Sequence, residues 1–383
     1  MKNLADVCHY LKGLVIPNMP NDFVVAEKFK HGLADDEIRK GISAFRAFLY
    51  ELFERVSMCK DEIDVNKGKK YNLDSGEDSI VKCFPILHDL AVVLSTLGLY
   101  GSLETEPGMR LVVNGGDLLI PLSATKPPAI NKISNQRKTE VFSYLSSMGF
   151  YFEDLNLSEG EGIDFSKIGT FYVTHENDDY VIPGLKLIAE AKANIKSGYQ
   201  KFMTTFMRCD FYPLANPAPK AHVASAKEFA NAQPPEVKDW VIDLEKLLIE
   251  NKCKISCFYL SNTNGSGAFS YISRKGKTIC RIAMGINGFE IEIRGNHFRN
   301  DKNILAKLPE SMLNVVKSVN GCGNCQEQNP DTFVSCRHGG AWTFTYDGKD
   351  YECCAFGGFV FQSPNPEERD VLNKWIEMEL AAT

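Results

Sequence analysis

Residues 278–294 read Thr-Ile-Cys-Arg-Ile-Ala-Met-Gly-Ile-Asn-Gly-Phe-Glu-Ile-Glu-Ile-Arg. Phe289, Ile291 and Ile293 alternate with Glu290, Glu292 and Arg294. Side chains on a strand point to opposite faces in turn, so this pattern predicts an antiparallel strand with one apolar face and one wet face. Asn287-Gly288, just before it, has the residues of a tight hairpin turn. Outward from there, Lys275-Gly276 joins a strand over Ala268–Ser273 to one over Thr278–Met284. The glycine-rich Asn262-Thr263-Asn264-Gly265-Ser266-Gly267 leads back to a strand over Lys254–Leu260. It is followed by a strand rather than by a helix that could present an N-terminus to phosphate, so it reads as a hairpin loop. The whole is a β-meander.

Helical patterns flank the meander. One runs from about Pro235 to Asn251 with Val241, Leu244, Leu247 and Leu248 on its buried face, and another from about Leu308 to Val319. The chain closes on a third, with Asn365 as its cap, Pro366 at the first position and Glu368 completing a capping box. Its apolar face is Val371, Leu372, Trp375, Ile376 and Leu380. A further hairpin, Ala341–Tyr346 and Lys349–Cys354, turns at Asp347-Gly348. The C-terminal part is therefore expected to be a helix-backed antiparallel sheet with a cysteine-bearing hairpin and a terminal helix.

The N-terminal part reads as helix-rich with β-hairpins, making the chain α+β overall. Asp35-Asp36 precede a stripe of Ile38, Ile42, Phe45, Phe48, Leu49, Leu52, Phe53 and Val56, whose spacing of three and four marks a buried helix face behind an acidic start. Residues 60–79 are polar and read as a loop, and a second helix is expected over about Ile80–Leu97. An internal echo follows: Leu94-Ser-Thr-Leu-Gly-Leu-Tyr100 is answered by Leu145-Ser-Ser-Met-Gly-Phe-Tyr151. In both, a helix is expected to stop at the glycine and pass into a strand. A strand–turn–strand is expected after each, over Arg110–Leu119 around Asn114-Gly115-Gly116 and over Phe171–Ile182 around Glu176–Asp179, giving two helix-plus-hairpin units. One long helix is read over Gly184–Met207. Pro213, Pro217, Pro219, Pro234 and Pro235 then break the chain. This divides it into a domain over 1–211, a Pro/Ala-rich linker over 212–236 and a domain over 237–383.

At 383 residues and 44% apolar content the chain has ample material for two cores. Its 43 basic against 49 acidic side chains, a net charge of −6, argue against broad binding to nucleic acid or anionic membranes. Lys2, Asp6, His9 and Lys12 interrupt the N-terminal apolar residues, so no secretory leader is read there. No run approaches the roughly 18 to 20 apolar residues of a membrane span. A cytoplasmic protein with reduced thiols is expected. Cys8, Cys59, Cys83, Cys209 and Cys280 lie in apolar or mixed stretches and read as small buried hydrophobes.

Five of the twelve cysteines fall together: Cys322-Gly-Asn-Cys325, Cys336, and the adjacent Cys353 and Cys354. Cys322 and Cys325 form a knuckle past a helix end at Asn320-Gly321. With Cys336 and Cys353 they supply the four ligands a structural zinc prefers. Cys354 or His338 is an alternative fourth ligand, though two adjacent strand residues should not both ligate. The same thiolates suit an iron–sulfur cluster. A redox dithiol fits less well, because Cys-x-x-Cys pairs are activated at helix N-termini and this one follows a C-terminus. Free thiols in a crowded turn are the plainest alternative.

Elsewhere, His297 reads as a turn residue, and Arg208-Cys209-Asp210 as a helix-ending arginine followed by a turn-forming aspartate, with Phe202, Phe206, Phe211 and Tyr212 in the core around it. Gln136-Arg137-Lys138 opens a helix that has no basic face, a poor match to a winged-helix DNA reader over 80–185. The segments Phe206-Met-Arg-Cys-Asp-Phe-Tyr-Pro-Leu214, Gln233-Pro-Pro-Glu236, and Gly321-Cys-Gly-Asn-Cys325 through Cys336 to Cys353 resemble a group of proteins from anaerobic Firmicutes, over about the last half of the chain. The resemblance implies a recurring C-terminal cysteine module and brings with it no catalytic residue. The functional expectation is a small-ligand-binding or sensor module that uses the 254–294 sheet and carries a structural zinc. The alternatives are a thiol or metal enzyme at the cysteines and a protein-interaction scaffold.

Overall fold

The computed structural model describes residues 3–58, 85–120, 129–157, 162–194, 206–216, 226–261, 266–295, 303–318, 341–354 and 358–382. The polar stretch read as a loop, together with Cys59, Cys83, Phe202 and His297, lies outside them. The chain divides into two compact units, Met1–His222 with Ser261–Gly265, and Val223–Leu260 with Ser266–Thr383. The fold class is α+β, as the periodicities require.

In the first unit α1 (Leu4–Leu14) starts at a capping box in which Asn3 and Asp6 satisfy each other's backbone N–H groups. α2 (Asp35–Met58) buries every residue of the stripe that predicted it, plus Gly41. α3 (Pro85–Tyr100) and α5 (Val181–Asn194) complete the helical core, and α4 (Asn135–Ser146) follows the first hairpin. α5 is buried on every side from Val181 through Ala189, as a helix enclosed by neighbours must be.

Glycines set how closely α5 can be approached. A Cβ on Gly184 would sit 2.0 Å from the Gly41 carbonyl oxygen, so α2 and α5 cross backbone to backbone. A Cβ on Gly98 would meet the Leu185 carbonyl oxygen and the Ala189 Cβ at 2.7 Å each. Gly98 is thus not the expected helix terminator. It lies inside α3, at the notch that receives α5, and α3 continues to Tyr100. Its counterpart in the echo, Gly149, does end a helix, at φ +97° just before β3 (Phe150–Glu153).

Two further expectations are corrected. β2 (Arg110–Asn114) leads through Gly115-Gly116 into a 3-10 turn over Asp117–Leu119, not into a strand; its hairpin partner is β1 (Ser102–Glu104), upstream. β4 (Thr170–His175) likewise pairs with β3 upstream, and the turn after it starts α5. There the Asp178 carboxylate accepts the Tyr180 N–H at 2.9 Å, an Asx turn that aims the chain into a helix. The long helix expected over 184–207 therefore begins earlier, at Val181, and its described part ends at Asn194; Phe206 and Met207 are also helical.

The hairpins that do form follow α3 and α4 directly, as α3-β1-β2 and α4-β3-β4. The sheet order is β1-β2-β4-β3, antiparallel throughout. Val112 and Tyr172 are cross-strand partners at the seam between the two hairpins. Leu111 and Val113 on one side, Phe171 and Val173 on the other, are all fully buried.

The second unit contains α6 (Ala226–Ala230), α7 (Pro235–Glu250), α8 (Glu310–Ser318) and α9 (Pro366–Ala381). α9 starts at the expected Asn365/Glu368 capping box. The meander forms with β5 (Lys254–Ser261), β6 (Ser266–Ile272), β7 (Thr278–Gly285) and β8 (Gly288–Ile293). β11 (Phe359–Gln362), not anticipated, pairs with β8 and completes the order β11-β8-β7-β6-β5. β9 (Ala341–Tyr346) and β10 (Lys349–Cys354) form the expected hairpin with Asp347 and Gly348 both at positive φ, as a sheet of its own.

One face of the five-stranded sheet is closed by helices. Trp375 packs on Phe359 and Phe361, Trp240 on Phe289, and Phe229 on Phe269. Glu245 of α7 is buried in this layer. Its carboxylate accepts the Ala226 and Lys227 N–H groups at 3.1 Å each and the Tyr271 hydroxyl at 2.7 Å. Leu247, Val371 and Leu380, expected in the helix faces, are only half-buried, and Arg369 and Glu379 are buried instead. Arg369 reaches the Pro364 and Glu236 carbonyl oxygens, and Glu379 accepts from the Trp375 indole N–H at 3.2 Å.

Candidate functional site

The other face of this sheet is where polar chemistry gathers. Register places Ser270, Arg281, Glu292 and Val360 in one row across β6, β7, β8 and β11. The next row is Ala268, Ala283, Glu290 and Gln362. In the first row the Glu292 carboxylate lies between two guanidinium groups, 2.9 Å from Arg281 and 3.3 Å from Arg294. Arg281 also donates to the Ser270 hydroxyl at 3.4 Å. Glu292 and Ser270 are both buried, so these charge-assisted bonds are shielded from water and hold the guanidinium groups in place.

In the second row the side chains are short. Ala268, Ala283 and the adjoining Gly285 leave an open concavity of about 390 Å³, with Arg281, Glu290 and Gln362 at its sides. Gln362 donates its amide N–H to Glu290 Oε2. The hollow exists because small residues follow one another across strands while long ones stand beside them. The alternation at 289–294 announced a wet face and named Glu290, Glu292 and Arg294. Arg281 and Gln362 were missed: one interrupts an apolar strand, and the other lies on a strand too short to be recognised.

The cysteine site predicted from sequence is not tested by this geometry. Cys322, Cys325, Cys336 and His338 lie outside the described residues. Cys353 and Cys354 are consecutive in β10, opposite Trp342 and Ala341. Among the described residues no group of three or more His, Cys, Asp or Glu side chains is placed to hold a metal ion. Cys8, Cys209 and Cys280 are buried, as expected of small hydrophobes, and so is Cys253. Burial pushes the Cys209, Cys253 and Cys280 thiols up from their ordinary values, opposite to what a nucleophilic thiol needs.

Several polar groups of the first unit have structural partners. Asp210 accepts the Tyr212 N–H at 3.2 Å as a turn former, and buried Arg208 donates to the last carbonyl of α1, Leu14, at 3.2 Å. Arg137 pairs with Asp89 at 2.8 Å and Glu140 at 2.9 Å, and Lys138 is buried beside Asn135 and Phe165. The basic residues opening α4 are thus engaged within the unit. Glu190 lies between His31 at 2.8 Å and Lys186 at 3.0 Å; burial would raise its carboxyl pKa, and these two partners together hold it low. Among the described residues no helix is long and apolar enough to cross a membrane.

No family model, curated protein or solved structure matches this chain.

Proposed function

We propose that the protein is a cytoplasmic small-molecule-binding or sensor module whose ligand sits on the polar face of the C-terminal sheet. The supporting observation is the hollow over Ala268 and Ala283, flanked by Arg281 and Glu290. Its size falls in the range of small-ligand sites, roughly 300 to 1,000 Å³, and it combines an apolar floor with a few fixed polar groups. The test is a thermal-shift screen of a broad small-molecule library against the native chain and Ala283→Leu, whose side chain would fill the hollow. A ligand that stabilises the native chain and not the variant supports the reading. Equal stabilisation of both, or none by any compound, defeats it.

Zinc bound by Cys322, Cys325, Cys336 and Cys353 is proposed as a structural component. What supports it is the spacing of the thiols in the sequence. Protein purified without added metal should contain one equivalent of zinc, lost with thermal stability in Cys322→Ser/Cys325→Ser. Metal-free protein with every thiol titratable would remove zinc from the account.

A further inference from the structure

The hollow on the C-terminal sheet carries opposite charges on two sides of one apolar floor, and we infer that it takes a zwitterionic small molecule of the free amino acid class. This rests on the small-ligand reading above and adds the ligand's chemistry. Arg281 is directly opposite Glu292, and Glu290 lies two residues along the same strand, so Arg281 and Glu290 are diagonal neighbours. Diagonal Cβ atoms on an antiparallel pair are about 7 Å apart, and the residue beside them on β7 is Ala283, whose methyl group leaves the space between them open.

Each charge is oriented from behind. Glu292 and Ser270 hold Arg281. Gln362 holds Glu290 through Oε2, and among the described residues that is the whole of Glu290's hydrogen bonding, so Oε1 is left to meet a donor from the cavity. A plain carboxylate would gain Arg281 and meet repulsion from Glu290; a plain amine would do the reverse. A molecule with a carboxylate and an ammonium close together satisfies both and rests its apolar part on Ala268 and Ala283. Bound this way, it adds no net charge beside Glu290 and the Arg281–Glu292–Arg294 cluster.

The probes are the twenty common free L-amino acids, their N-acetyl and carboxamide derivatives, and acetate, propionate and butylamine, titrated calorimetrically into the full chain. At least one free amino acid should bind. Its N-acetyl and carboxamide forms should each bind about tenfold more weakly or worse, a loss of about 1.4 kcal/mol per tenfold. Glu290→Gln should weaken the free amino acid by a similar factor while leaving its N-acetyl form unchanged, and Arg281→Gln should do the same with respect to the carboxamide. Because Arg281 also supports Glu292, the Glu290→Gln arm and the derivative series carry the test if Arg281→Gln does not fold. A simple carboxylate or amine that binds as well as any amino acid, and is lost in Ala283→Leu, overturns the zwitterion and spares the small-ligand site. Binding that survives Ala283→Leu overturns both. No binding by any of these probes overturns the zwitterion.

Discussion

Both units of this protein pack helices on an antiparallel sheet, yet their small residues have opposite consequences. In the first unit Gly41, Gly98 and Gly184 stand where another helix's backbone already occupies the space a side chain would need. In the second, Ala268, Ala283 and Gly285 line an open hollow. A small residue therefore signals a site only when its cross-strand neighbours fail to close over it. In the first unit the small residues are covered by a neighbouring helix; in the second they line an open hollow.

The contrast is sharpest for a single added carbon. Gly184→Ala places a methyl group 2.0 Å from the Gly41 carbonyl oxygen. Neither backbone can move without shifting a helix, so urea unfolding should show a loss of about 3 kcal/mol or more. A loss near zero would mean that α2 and α5 are not locked at this crossing. On the closed face of the second sheet, Glu245→Ala strands two backbone N–H groups and the Tyr271 hydroxyl. The expected cost is about 2 to 3 kcal/mol by the same measurement.

Gly98→Ala sets two effects against each other. Alanine favours an exposed helix by about 1 kcal/mol over glycine. Here the methyl group meets Leu185 and Ala189 at 2.7 Å, and a net loss of about 2 kcal/mol is expected. A stabilised Gly98→Ala would restore the reading of this glycine as a simple helix terminator.

A smaller effect comes from pH. His175 is buried against Phe48 and Phe150, and its Nδ1 accepts the Asp178 N–H at 3.2 Å. Burial holds its pKa below the ordinary 6.5, outweighing the pull of the Met148 carbonyl and nearby acids. The unfolded chain therefore takes up a proton that the folded chain refuses. The stability contribution is fully present above pH 6.5 and is lost as pH falls from there through the folded pKa. Unfolding midpoints at about pH 7.5 and about pH 5 should differ less in His175→Gln than in the native chain. The smallest effect is that of Ala283→Leu on stability, within about 0.5 kcal/mol, as for a side chain pointing into open space. A large loss there would mean that the hollow is filled by the protein itself.

What could be read from the sequence was whatever one segment decides for itself. The α2 stripe, the turns at Lys275-Gly276, Asn287-Gly288 and Asp347-Gly348, and the Asn365 capping box are local patterns, and each formed where expected. What failed depended on distant partners. Gly98 reads as a helix stop until α5, far along the chain, is laid against it. Glu176–Asp179 reads equally as a hairpin turn or a helix entry, and the burial of Val181–Ala189 on all sides decides for the helix. Phe359–Gln362 becomes a strand only by pairing with β8. The candidate site was half legible for the same reason: Glu290 and Glu292 announce a polar face, while the hollow depends on Ala268, Ala283 and Glu290 falling side by side across three strands.

The seam between β2 and β4 has a consequence for how the first sheet holds together. Its two hairpins meet only where Leu111–Asn114 pair with Thr170–Val173. Without that seam the sheet would fall into two two-stranded ribbons, each marginal in water by itself.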